Sequence, residues 1–186
     1  MRTLVLGMGN PILCDDAVGI RLARDFRAYL EEQAGPACLG EQASVPRTHG
    51  QGGPLPVGEC QVDFVEECSV GGLNLVDLVA GYDRLIVFDS IRTPRAAPGT
   101  WYALTGATFR ETMNLTNIHD VNFTTALELG RRLGAHIPRP EDVHIFAVEI
   151  ADNTTFLETM TAELEEAYPR ISRAIMQAAY AILAQR

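Results

Sequence analysis

Basic side chains are in short supply. Lys and Arg together number 15 against 24 Asp and Glu, which gives a formal net charge of −9. Nucleic-acid binding needs a cationic patch to neutralise phosphates, and the sequence offers none. The acidic balance favours a cationic ligand, a metal or a basic partner segment instead. Long apolar runs are missing as well. None approaches the ~20 residues that span a bilayer. Met1-Arg2 leads straight into Thr3-Leu4-Val5-Leu6, without the apolar stretch and cleavage site of a secretory signal. The four cysteines, Cys14, Cys38, Cys60 and Cys68, show no C-x-x-C spacing, which argues against a structural zinc site or a disulfide frame. The expectation is a cytoplasmic protein with reduced thiols and neither a membrane nor a nucleic-acid partner.

What is present suits one domain, 1–186. Apolar residues make up 47% of the 186 and charged residues 21%, ordinary values for a globular chain able to bury a full core. Short apolar stretches, Thr3–Leu6 and Arg84–Asp89 (RLIVFD), read as strands buried on both faces of a parallel sheet. Gln61–Glu66, Gly99–Leu104 and Val143–Ile150 supply three more strands. Between them, apolar residues recur at helical spacing over about Asp16–Glu32, Gly72–Ala80, Ile118–Leu133 and Thr159–Arg186, with Pro169 either kinking or dividing the last helix. Alternation of this kind predicts an α/β fold, a three-layer α/β/α sandwich around a twisted, mostly parallel five-stranded sheet. The Gly-, Pro-, Ser- and Gln-rich segment at about 33–59 breaks both periods and reads as a flexible insertion.

In such folds ligands bind beyond the carboxyl ends of the strands, so the chemistry of those ends matters. The first strand runs into Gly7-Met8-Gly9-Asn10. A dinucleotide fingerprint would need a third glycine where Ile12 stands, and Asp15-Asp16 would repel a pyrophosphate. The glycines instead suit a tight turn that lets other groups approach the backbone. Asp15 and Asp16 taken singly could cap the next helix. Together with Asp89 at the end of its strand they make a set of carboxylates that must share a proton or a cation. Carboxylates joined by one imidazole suit nickel, zinc or iron. His119, in the polar segment NLTNIHDVNF at a helix start, is the best-placed imidazole. His49 lies in the insertion, His136 follows a helix stop, and His144 opens the last strand at the wrong end.

The stretch LVLGMGNPILCDDAVGIRLA resembles the signature of the nickel–iron hydrogenase maturation endopeptidases, G-x-G-N followed by D-[DE]-x-x-G. Gly7, Gly9, Asn10, Asp15, Asp16 and Gly19 all match. LIVFDSI (Leu85–Ile91), Ala97–Thr100 and the His119 segment continue the resemblance in order. It implies a metal-binding set of Asp16, Asp89 and His119, with Asp in place of the commoner Glu at the first ligand. It also implies one endoproteolytic cut that removes the C-terminal extension of a hydrogenase large-subunit precursor after nickel loading. The acid-and-glycine loop of the family is spaced differently here, in Glu66–Gly72, and no catalytic role is carried over to it.

The resemblance leaves two hydrolytic routes. The metal polarises the carbonyl or activates water with Asp15 or Asp16 as base, or carboxylates alone activate water while the metal serves recognition. Asn10 either orients the peptide or shapes the turn, Cys14 is either a soft ligand or a packed thiol, and Glu149 stays outside the ligand set. The expected partner is the precursor, its nickel arriving with the substrate, and the expected state is a monomer. The rival reading is a nickel-sensing chaperone that binds the precursor without cutting it.

Overall fold

The structure, a computed structural model, describes residues 1–34, 55–58, 60–69, 73–93, 96–108 and 118–184, and the side chains of 34, 73 and 118–122 are not among those described. Six strands form one sheet in the order β2-β3-β1-β4-β6-β5. They are β1 (Arg2–Met8), β2 (Leu55–Val57), β3 (Cys60–Cys68), β4 (Arg84–Ile91), β5 (Trp101–Thr105) and β6 (Val143–Glu149). β3, β1, β4 and β6 are mutually parallel, and β2 and β5 close the two edges antiparallel. β1 and β4 lie inside the sheet, and Leu4, Val5, Leu6, Leu85, Ile86, Val87 and Phe88 are all buried. This is the environment that favours continuous apolar runs over alternation.

Alternation along β1 divides the core into two layers. Val5 joins Val18, Leu22, Phe26, Phe88, Phe146, Leu164 and Ile175 on the face covered by α1 (Val18–Ala34) and the C-terminal helix Ala162–Ala184. Leu4 and Leu6 join Leu75, Val87, Phe123, Leu127 and Ile145 on the other face, covered by α2 (Leu73–Val79) and α3 (Ile118–Arg132). The expected three-layer α/β/α sandwich is therefore present. The C-terminal helix, α4, passes through Pro169 undivided.

The strand count departs from expectation. The sixth strand is β2, which falls inside the segment read as an insertion at 33–59. It pairs with the start of β3 from Leu55↔Val62 to Val57↔Cys60, through a turn at Gly58. Three residues are too few to show a period, and Pro56, which has no N–H to donate, is tolerated because β2 is an edge. Residues 33 and 34 of that segment end α1, and 35–54 and 59, with His49, lie outside the described residues. A second difference sits at the acidic turn. Cys14–Ala17 forms a 3-10 turn, and α1 begins only at Val18.

The topology locates the crevice. The chain leaving β1 enters α1 on one face, whereas α2, which precedes β4, and α3, which follows β5, cover the other. β1 and β4 are neighbours, so the turn after β1 and the end of β4 meet at the carboxyl edge of the sheet, where parallel α/β sheets bind ligands.

Candidate functional site

The turn after β1 is built for close approach. Gly9 has φ +135°, and a Cβ there would overlap the Asp16 carbonyl oxygen. A Cβ on Gly19 would overlap the carbonyl oxygens of Met8 and Phe88, so the first turn of α1 rests directly on the ends of β1 and β4. Cys14 adopts φ +46°, a left-handed conformation uncommon outside glycine. It is held there by a hydrogen bond from its N–H to the Leu157 carbonyl at 2.8 Å.

Asp15 and Asp16 have separate environments. Asp15 is 0% exposed. Its Oδ2 accepts the N–H groups of Ala151 and Asp152 at 3.0 and 3.1 Å and the Thr161 hydroxyl at 3.1 Å, and its Oδ1 accepts the Thr161 N–H at 2.7 Å. A buried carboxylate is tolerable only when so satisfied. These bonds tie the turn to the segment between β6 and α4. Asp15 is thus a clasp, closed to substrate and to water.

Asp16 is partly exposed. Its Oδ2 accepts the Asn10 N–H at 2.8 Å and its Oδ1 accepts the Ser90 hydroxyl at 2.6 Å. The short O–H···O⁻ distance is that of a charge-assisted bond. Neither acid caps α1, the role that each taken alone suggested. Ser90 also donates its backbone N–H to Asp89 Oδ1 at 2.8 Å. One residue at the end of β4 therefore touches both carboxylates predicted as ligands. By strand alternation Ser90 shares the face of Phe88, over which α1 lies, and Asp89 shares that of Val87 and Ile91, over which α3 lies.

His119 occupies the first turn of α3, and its side chain lies outside the described residues. The other end of the helix is fixed at the opposite edge of the sheet. Gly81 N–H donates to the His136 carbonyl at 2.8 Å, and the His136 ring meets Asp83, just before β4, at 3.1 Å. The start of α3 is about 20 Å further along the helix axis, at 1.5 Å per residue. Among the described residues no three His, Cys, Asp or Glu side chains converge as a metal site.

A profile described as hydrogenase maturation protease matches residues 59–183, more than half of the chain. The chain belongs to the hydrogenase maturation protease family. The chain is 32% identical over 106 residues to a hydrogenase 2 maturation protease of Escherichia coli, covering 56% of this chain and 47% of that protein. The match thus spans about half the length of that curated relative. Among solved structures, a hydrogenase maturating endopeptidase from E. coli superposes with a TM-score of 0.65 at 21% identity, covering 96% of this chain and 91% of the other. A [NiFe] hydrogenase maturation protease from Thermococcus kodakarensis gives a TM-score of 0.62 at 16% identity, over 96% and 99% of the two chains. At these identities the structures establish the fold.

The remaining residues of this family member's turn are largely structural. Asn10 accepts the Ile12 N–H with its side-chain oxygen at 3.2 Å and the Leu13 N–H with its carbonyl at 3.1 Å, the pattern of a turn former. Cys14 is buried, and burial, reinforced by the Asp15 charge, pushes its thiol pKa up, which keeps it a packed thiol. Glu149, 1% exposed, accepts the Thr93 N–H and hydroxyl at 2.9 and 2.6 Å and the Tyr102 hydroxyl at 3.2 Å. It fastens the chain leaving β4 to β5. Beside the turn, Phe156 is 78% exposed, and Ile12 and Leu157 are 45% and 48% exposed. The last two are joined by the Leu157 N–H to Ile12 carbonyl bond at 3.0 Å.

Proposed function

We propose that this chain is a cytoplasmic, monomeric endopeptidase that removes the C-terminal extension of a nickel–iron hydrogenase large-subunit precursor after nickel insertion. In this reading Asp16, Asp89 and His119 recognise the nickel already held by the substrate. The observation that carries it is the junction of Asp16 and Asp89 through Ser90 at the carboxyl ends of β1 and β4, in a chain of the maturation protease family.

The donor set suits a divalent ion. Among the described residues each Asp16 oxygen holds one hydrogen-bond donor, and a carboxylate oxygen has lone pairs for two partners. Two carboxylates and an imidazole are appropriate ligands for nickel. Docking of a nickel-free precursor would forgo the coordination energy and leave the acids repelling one another. Hydrolysis needs a carboxylate to take the proton of the attacking water; Asp15 is fully engaged, and in this reading Asp16 or Asp89 takes it. The exposed Ile12, Phe156 and Leu157 provide apolar surface next to the turn, suited to a polypeptide substrate.

The test is the mass of a nickel-loaded large-subunit precursor after incubation with the protein. Loss of a C-terminal fragment with the wild-type chain, and its retention with Asp16→Asn or Asp89→Asn, supports the reading. Stable binding without loss of mass would identify a chaperone instead.

A further inference from the structure

Ser90 has no assigned part in the chemistry, yet it contacts both carboxylates. Its hydroxyl donates to Asp16 Oδ1 at 2.6 Å and its backbone N–H to Asp89 Oδ1 at 2.8 Å. The Asn10 N–H holds the other Asp16 oxygen at 2.8 Å. A carboxylate pinned on both oxygens cannot rotate about its Cβ–Cγ bond without breaking a charge-assisted hydrogen bond. Ser90 is itself fixed in register, because the pairing of β4 with β6 continues through Ser90↔Val148.

We infer that Ser90 is a positioning residue that aims the Asp16 carboxylate at the divalent ion of the substrate. The inference rests on the ligand set proposed above. A metal ligand needs its orientation set before the ion arrives, and hydrogen bonds from neighbouring residues do this work. The Asn10 N–H sets one edge of the carboxylate from the β1 turn. The Ser90 hydroxyl sets the other from β4, so the carboxylate is referenced to the strand that bears Asp89. Its distance to Asp89 is then determined by the sheet and not by the turn alone. Alanine at position 90 keeps the backbone bond to Asp89 but frees Asp16 Oδ1. Threonine keeps the hydroxyl and has a β-branched shape suited to a strand.

The experiment is calorimetric titration of the full chain with Ni(II) alone, for wild type, Ser90→Ala, Ser90→Thr and Asp16→Asn, each confirmed folded by circular dichroism. The expected result is a loss of about 10-fold or more in Ni(II) affinity for Ser90→Ala, the range seen when partners of metal ligands are removed, with Ser90→Thr close to wild type. Wild-type affinity in Ser90→Ala, alongside weakened binding in Asp16→Asn, overturns the role of Ser90 and leaves the ligand set intact. Equal affinity in Asp16→Asn and wild type overturns the ligand set, and the positioning role with it. Unchanged Ni(II) binding in Ser90→Ala with loss of precursor cleavage also overturns it, because the hydroxyl would then act on the peptide.

Discussion

Asp15 accepts the backbone N–H of Thr161 at 2.7 Å and its hydroxyl at 3.1 Å, joining two residues 146 positions apart in the chain. The bond closes the segment between β6 and α4 over the turn that carries Asp16. A motif of adjacent acids is thereby split into a buried clasp and a partly exposed carboxylate.

Asp15→Asn should consequently act on stability. The amide keeps the shape but presents N–H donors to at least one of the four donors now satisfied. Hydrogen bonds to charged groups contribute about 1.5–3 kcal/mol each, and a buried mismatch adds a penalty, so a loss of about 2–4 kcal/mol is expected. Urea unfolding measures it, and a change below about 0.5 kcal/mol, the range of inert surface substitutions, would contradict the clasp.

Gly19→Ala should damage both fold and site. The added methyl overlaps the Met8 and Phe88 carbonyl oxygens, which are backbone atoms unable to swing aside. Overpacking of this kind costs about 1–3 kcal/mol. It also pushes the start of α1 away from the ends of β1 and β4, so Ni(II) affinity should drop together with the thermal midpoint. A variant with unaltered midpoint and affinity would show that the contact is loose.

Cys14 gives a pH test. Burial, then the Asp15 charge, raises its thiol pKa in the folded chain. A raised pKa means that folding favours the protonated thiol. The associated stability is complete below the unfolded thiol pKa of about 8.5 and is lost as pH rises above it. Stability should therefore fall on the alkaline side, with a shallower fall in Cys14→Ser. Iodoacetamide at pH 8 should label the Cys14 peptide only after unfolding, and rapid labelling of the native chain would show an accessible thiolate.

The sheet was legible because its central strands are buried on both sides, and such strands are written as plain apolar runs, as at Leu4–Leu6 and Leu85–Phe88. β2 was not, since three edge residues with a proline carry no period. The Gly-rich turn after β1, with Asp16 beyond it, and Asp89 near the end of β4 could be read from local pattern. The division between Asp15 and Asp16 could not, because it depends on Ala151, Asp152 and Thr161, which are distant in sequence. Ser90 was overlooked for a related reason. The only hint in LIVFDSI is a second polar residue after the aspartate, and its partner, Asp16, is 74 positions away.

Replacing either proposed carboxylate ligand should separate binding of the ion from folding. Asp16→Asn and Asp89→Asn each remove a charged oxygen donor from partly exposed positions, so the thermal midpoint should move less than in Asp15→Asn while precursor cleavage falls by about 100-fold or more. Cleavage at the wild-type rate in either variant removes that residue from the site.

The central claim is that the substrate's nickel is what the acids recognise. The most direct measurement compares cleavage of one precursor preparation with and without bound nickel, followed by intact mass. The account predicts release of the C-terminal fragment from the nickel-loaded precursor and none from the nickel-free form. Equal cleavage of both forms would contradict it.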